Sequence, residues 1–273
     1  ISKSRNYHQG GCSMKILLVT PLDSLHGKRW AERLASNNIE VRVFDMTGVH
    51  SRQTLDSRLQ VYSLDAIPNN NLLGNYLWAL LQGRKKLKNV VEEFRPDVIH
   101  LHWMFHPLAL AFAFLDYPLK ICTPWGSDLL IPNIRKFDII RRFLHAIQIR
   151  YLVAKSNAFI CDAFHMKESL MRFGAHSDSV HLAYFGIDTD FFTPVKRNFE
   201  WRERYLKSGR NLIIFSNRQL AAVYRIDVLI EAVSLMPDNC KNRISLIIAS
   251  DGPEKSVLQS YAETLNIGSF THF

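Results

Sequence analysis

Short β-rich runs alternate with helix-period segments along most of the chain, and this rhythm limits the fold more than any other feature. "KILLVT" (15–20) is a continuous apolar strand, and "DSLHGKRWAERLASNN" after it reads as a helix capped by Asp23 or Ser24, with Trp30 and Leu34 inward. "EVRVFD" (40–45), "DVIHLHW" (97–103), "KICTPW" (120–125), "NAFICD" (157–162) and "DSVHLAY" (178–184) continue the strands, with helical stretches over 72–94 and 107–115 between them. Strand, helix, strand at this pace means βαβ units and a parallel sheet covered on both faces. Ligands of such sheets bind beyond the carboxyl ends of the strands.

The rhythm breaks over 185–210, where a Gly-Ile-Asp turn, Pro194 and the charged stretch "KRNFEWRERYLKSGR" follow one another. It then restarts: strand 211–215, helix 225–236, strand 244–249, helix 253–265. A second α/β domain is therefore expected from about residue 196, with 14–195 forming the first. With only about two βα units it looks cut short against common domain sizes of about 100–150 residues. The opening thirteen residues, "ISKSRNYHQGGCS", are polar and patternless, and are expected to be a disordered leader or cloning residue. No signal peptide is visible, and no apolar run approaches the roughly 20 residues that span a bilayer.

The net charge of +9 suits an anionic partner: nucleic acid, a membrane face or phosphorylated small molecules. No recognised nucleic-acid module accompanies it, so nucleic acid is not expected. "NIRKFDIIRRFLHAIQIRYLVAK" (133–155) mixes Arg135, Lys136, Arg141, Arg142 and Arg150 with Ile, Phe and Leu. It reads either as a helix lying on anionic lipid or as a sheet-covering helix with a solvated basic face. The four cysteines, Cys12, Cys122, Cys161 and Cys240, form no C-x-x-C pair and read as reduced thiols.

Several residues carry chemistry in this pattern. The first strand is followed by "PLDSLHGKRW", which lacks the G-x-G-x-x-G of a dinucleotide site and so argues against a nicotinamide or flavin enzyme. Ser24, His26 and Gly27 stand at a helix N-terminus, which either attracts an anion or is merely capped. His100 and His102, two apart on a strand, face one side; they line a polar cleft, serve packing, or form half of a metal site for which no third ligand is evident. In "TPWGSDLL" (123–130), Gly126 permits a tight turn, Asp128 is placed as a cleft acceptor or cap, and Trp125 either faces a sugar or packs between layers. "YFGIDTDFFTP" (184–194) suits a domain junction or an ordinary loop. In "SNRQLAAVYRIDVLIEA" (216–232), Arg218 lies just past a strand end, where a guanidinium makes bidentate bonds to phosphate, with Arg225 as a second cation. Both arginines equally suit solvent or a carboxylate such as Asp227 or Glu231. Gly252 in "IIASDGPEKSVLQSYAETLNI" allows close approach of a ligand.

Taken in order, "SLHGKRWAERLASNNIEVRVF", "RPDVIHLHW", "TPWGSD", "YFGIDTDFFTP", "SNRQLAAVYRIDVLIEA" and "IIASDGPEKSVLQSYAETLNI" resemble the family 4 glycosyltransferases, retaining enzymes of the GT-B fold. The resemblance runs over nearly all of Met14 to Phe273. It implies an α/β, GT-B type chain: a complete N-terminal Rossmann-like domain on the acceptor side and an incomplete C-terminal Rossmann-like donor domain over 196–273. It implies transfer of a sugar from a nucleotide diphosphate sugar to a glycan or lipid-linked acceptor, with retention, in cell-surface polysaccharide or lipopolysaccharide assembly. Arg218 would stabilise the leaving diphosphate, with Arg225 and Gly252 on the donor side. His26, Gly27, His102, Trp125, Gly126 and Asp128 would line the acceptor side of the cleft. Neither a metal nor a cofactor is expected, and the protein would be cytoplasmic or at the inner face of the membrane. The sequence departs from the family pattern at three points. Tyr224, with Arg225 beside it, replaces the usual lysine. Trp125 replaces the histidine of H-G-x-D. The paired donor-domain glutamates fall beyond Phe273, where the next strand would start. A non-catalytic short form that binds an acceptor or partner is the competing expectation.

Overall fold

The computed structural model describes residues 13–37, 39–48, 55–64, 72–130, 139–193, 199–206 and 210–273. Residues 1–12 of the expected leader lie outside them, as do Arg135, Lys136 and Pro194. The chain divides into two compact units, Ile1–Gly186 and Ile187–Phe273.

In the first unit, β1 (Lys15–Thr20), β2 (Glu40–Asp45), β3 (Gln60–Ser63), β4 (Val98–His102), β5 (Lys120–Thr123), β6 (Ala158–Cys161) and β7 (Val180–Leu182) form one sheet. Its order is β3-β2-β1-β4-β5-β6-β7, and every neighbouring pair is parallel. The helices are α1 (Leu25–Ala35), α2 (Leu72–Trp78), α3 (Arg84–Phe94), α4 (Pro107–Ala113), α5 (Ile139–Lys155) and α6 (Phe164–Arg172). β1 shows why the sequence demands this sandwich. Leu17, Leu18 and Val19 are all fully buried. Strand alternation sends Leu17 and Val19 into a core with Leu87, Val91, Phe94 and Phe112. Leu18 goes the other way, against Ala31, Val41 and Val43. Each face needs its own cover, and the helices supply it.

Two expectations change here. The strand β3 was not expected, because "QVYS" at the sheet edge is partly exposed and offers a single aliphatic residue. The helix expected over 72–94 is α2 and α3, joined by a wider π-type turn at Ala79–Gly83. Gly83 lets α4 approach there: a Cβ at that position would lie 2.5 Å from Leu108 Cδ2.

The second unit holds α7 (Phe199–Tyr205), β8 (Leu212–Ser216), α8 (Ile226–Ser234), α9 (Asp238–Lys241), β9 (Ile244–Ile248), α10 (Lys255–Thr264) and β10 (Thr271–His272). The sheet order is β10-β9-β8, again parallel. Central β9 is buried throughout, and Leu246 and Ile248 pack with Ile226, Ile230, Leu258 and Phe270. The charged stretch expected as a break contains α7, anchored where Ser245 Oγ donates to the Tyr205 carbonyl at 2.5 Å. β10 stands where a further strand was expected to start.

Lys120 shows how the sheet finishes its helices. Its ammonium is buried and donates to the carbonyls of Ala113 (3.1 Å) and Leu115 (2.8 Å), at the otherwise open end of α4. Replacing it by methionine keeps the stem and strips both bonds. We expect Lys120→Met to lose about 1–3 kcal/mol, read as a lower urea midpoint; an unchanged midpoint would show that the ammonium contributes nothing.

Candidate functional site

In the large sheet, β1 pairs with β2 on one side and β4 on the other, so the strand order reverses between β1 and β4. The crevice beyond their carboxyl ends is the place such folds offer a ligand. Thr20 ends β1 and His102 ends β4.

The first wall of the crevice is the start of α1. Ser24 is the cap: its Oγ accepts from the amide of His26 at 3.2 Å. Gly27 sits on that turn, and a Cβ there would lie 2.3 Å from the Pro21 carbonyl oxygen and 2.7 Å from Thr20 Oγ1. The close backbone approach, more than any ligand contact, dictates glycine. His26 is exposed; its ring stacks on Phe185 at 5.0 Å and stands 5.6 Å from Trp125.

The floor is made of histidines. His100 and His102 are on the same face of β4, both buried, with rings 4.5 Å apart and nearly perpendicular. Trp30 of α1 meets their rings at 5.5 and 5.2 Å. His100 Nε2 shares a hydrogen bond with Thr123 Oγ1 at 2.7 Å, and His102 Nδ1 with Thr20 Oγ1 at 3.1 Å. Burial pulls the His100 imidazole down to about 3. It takes His102 well below the usual histidine value, with neighbouring His100 and His26 adding repulsion. His106, the cap of α4, is lowered by burial to about 4. All three imidazoles are therefore neutral at pH 7.

The second wall comes from the loops after β4 and β5. Asp128 is fully buried beneath them. Its Oδ2 accepts from the amide of Met104 at 2.7 Å and its Oδ1 from that of Trp125 at 2.8 Å. Its carbonyl accepts from His145 Nε2 of α5 at 2.7 Å. Gln148, one turn on, donates to the carbonyls of Met104 (2.8 Å) and His106 (2.9 Å). Asp128 thus positions the wall and is not itself presented to the crevice. Burial raises its pKa, against the pull of those amides. Gly126 makes the tight turn, with φ at 118°. Trp125 is half-buried above it, 5.5 Å from His102 and 5.8 Å from Trp103. Sequence reasoning missed Trp103, which directly follows β4 with φ at 64°, a strained conformation for so bulky a residue. It also missed Thr20, Thr123 and Phe185; only the fold brings these to the histidines.

The second unit has its own strand mouth. Arg218 is exposed just past β8, its guanidinium 5.4 Å from the Tyr224 ring centroid, and among the described residues no carboxylate pairs with it. Arg225 differs. It takes the left-handed conformation at the start of α8 and forms a bidentate pair with Asp227, at 2.9–3.2 Å. That contact raises the Arg225 pKa and lowers that of Asp227. Gly252 packs against main chain: a Cβ would lie 2.3 Å from the Leu220 carbonyl oxygen. The amide of Leu220 donates to Asp251 O, and that of Glu254 to Leu220 O, both at 3.0 Å. The loops after β8 and β9 are thereby locked together, and α8 and α10 begin at the same end. Among the described residues, no three His, Cys, Asp or Glu side chains gather as metal ligands.

Residues 26–191, well over half of the chain, match the family described as Glycosyltransferase Family 4. No curated protein sequence matches the chain. Among solved structures, Anabaena HepE in complex with UDP is similar at 14% identity and a TM-score of 0.63, covering 95% of this chain and 68% of that one. WaaG, a glycosyltransferase involved in lipopolysaccharide biosynthesis, is similar at 14% identity and 0.62, covering 95% and 69%. Sucrose-phosphate synthase from Thermosynechococcus elongatus is similar at 12% identity and 0.70, covering 95% and 70%. At such identities the likeness is one of fold: two Rossmann-like units of GT-B type, of which this chain spans about two thirds of each neighbour's length.

Two outcomes follow from this geometry. Gly27→Ala should lose about 1–3 kcal/mol, since the obstructing atom is backbone; a melting temperature equal to the parent's would contradict it. The buried histidines bind protons more weakly folded than unfolded. The unfolded chain therefore takes up protons first below about pH 6.5, and stability falls as the pH drops toward the folded values. The slope is about 1.4 kcal/mol per pH unit for each histidine, partly offset by Asp128, whose raised pKa works the opposite way. Urea denaturation at pH 7.5 and 5.0 measures the fall, and His100→Gln should reduce it.

Proposed function

The chain belongs to glycosyltransferase family 4, and from that premise we propose that it transfers a sugar from a nucleotide diphosphate sugar to a glycan or lipid-linked acceptor. We assign the reaction retention of anomeric configuration and a place in cell-surface polysaccharide or lipopolysaccharide assembly. The observation that carries the reading is Arg218: an exposed guanidinium at a parallel-strand mouth, unpaired with any described carboxylate, on the loop that leads from β8 into α8. A leaving diphosphate gains negative charge in the transition state, and a fixed cation there lowers the barrier. The complexes of HepE with UDP and UDP-glucose support a nucleotide sugar as the donor. Arg225 is a weaker second cation, because Asp227 already neutralises it. Neither a cofactor nor a metal enters the proposal.

A lipid-linked acceptor is supported by α5. Ile139, Phe143 and Ile147, spaced one turn apart, are exposed, with Arg142 and Arg150 beside them. A stripe of this kind suits the inner face of an anionic membrane. The opposite side of α5 carries His145, Gln148, Ile149 and Leu152 into the core, so the helix also covers the sheet. Among the described residues, no helix is long and apolar enough to cross a membrane.

Transfer and donor-hydrolysis assays over a nucleotide-sugar panel test the reaction. Arg218→Ala should lower turnover roughly 10²-fold or more while leaving stability unchanged, and Arg225→Ala should cost less. Ligand binding without turnover on any donor would instead favour a non-catalytic binder. For the membrane, Phe143→Asp should weaken binding to vesicles of phosphatidylcholine with phosphatidylglycerol. Binding that does not fall with added salt would count against the electrostatic part.

A further inference from the structure

At the switch point of the large sheet, two polar atoms are shut away from solvent without a hydrogen-bond partner: Nε2 of His102 and Nε1 of Trp125. A third such atom among the described residues, Asn75 Oδ1, stands alone on α2. Buried polar groups are almost always partnered, and leaving one without a partner is costly. Here two occur on rings whose centroids are 5.5 Å apart, tilted by 54°. His102 is completely buried, and its other nitrogen is already used by Thr20. The pair lies beyond the carboxyl ends of β1, β4 and β5, where a parallel sheet receives its ligand.

The chemistry of the two atoms narrows what they take. An indole nitrogen only donates. The free imidazole nitrogen accepts when Nδ1 gives its proton to Thr20, and donates when the Thr20 hydroxyl points the other way. A hydroxyl group answers both cases, because it accepts and donates at once. A phosphate or carboxylate would instead bring its charge among Trp30, His100, His102 and Trp125, where burial keeps the imidazoles neutral. We infer that His102 Nε2 and Trp125 Nε1 together hold one hydroxyl of an uncharged carbohydrate. The position rests on the two atoms; the choice of carbohydrate among hydroxyl compounds rests on the glycosyltransferase reading. Trp125 is then a specificity-determining residue, and its N–H is the part that matters.

The test uses the whole chain with ¹⁵N-labelled tryptophan. Trp125→Phe assigns the Trp125 indole signal, and the remaining indole signals report that the fold is intact. Methyl glycosides of glucose, galactose and mannose are titrated in turn, with inorganic phosphate as the anionic probe and UDP in a separate titration. At least one glycoside should shift the Trp125 signal saturably, with phosphate leaving it in place. Its affinity should fall roughly tenfold in Trp125→Phe, the worth of one lost hydrogen bond. If no glycoside moves the signal while UDP still binds, the hydroxyl clamp is overturned and the nucleotide-sugar reading survives. If a glycoside shifts it but UDP does not bind, the clamp stands and the nucleotide-sugar reading falls. Phosphate moving the signal as strongly as any glycoside would overturn the clamp as well.

Discussion

The crevice of the first unit depends on one buried carboxylate. Asp128 has lost all contact with water, and a charge in that position survives only if its oxygens are met by donors. Two backbone amides meet them, one from each of the loops after β4 and β5. Taking either loop away would strip the buried carboxyl group of one of these donors, so the group opposes separation of the two loops. His145 and Gln148 extend the same constraint to α5 through the carbonyls of Asp128, Met104 and His106. The network fixes the main chain at Met104 and Trp125, and Trp103, with its strained backbone, directly precedes Met104.

The two units, each taken by itself, display different chemistry. The crevice of the first is aromatic and uncharged, with imidazoles that burial keeps neutral and hydroxyls of threonine as their partners. The strand mouth of the second is cationic and solvent-facing, with Arg218 over Tyr224 and Arg225 against Asp227. One surface suits a neutral polyhydroxyl compound and the other a phosphorylated one. The proposed transfer calls for one partner of each kind.

The sequence announced these features unevenly. β1 was plain, because a run of Ile-Leu-Leu-Val between polar flanks fits only a strand buried on both faces. The cap at Ser24 and the helices around it followed from side chains acting within a turn or two. β3 was hidden because an edge strand buries half of itself and need not be apolar. The buried place of Asp128 was hidden for another reason: its donors are main-chain amides, which every residue carries and no pattern marks. The same holds for Gly252, which reads as a ligand-facing glycine in sequence and packs on Leu220 in space. The two arginines of the second unit looked alike on paper. Only the structure separates Arg218 from Arg225, whose guanidinium finds Asp227 two residues away.

Gly27 and Gly252 share a property with consequences for how such a chain can vary. At each, the missing methyl group is replaced by another segment's carbonyl oxygen, 2.3 Å from where the Cβ would be. A side chain on the obstructing residue could be trimmed by a compensating substitution, but a carbonyl belongs to every amino acid. No change of residue type at Pro21 or Leu220 makes room. Variation at either glycine therefore requires a shift of backbone path, and no second substitution at the obstructing residue relieves its cost. The positions act as fixed hubs about which the neighbouring loop residues are free to drift.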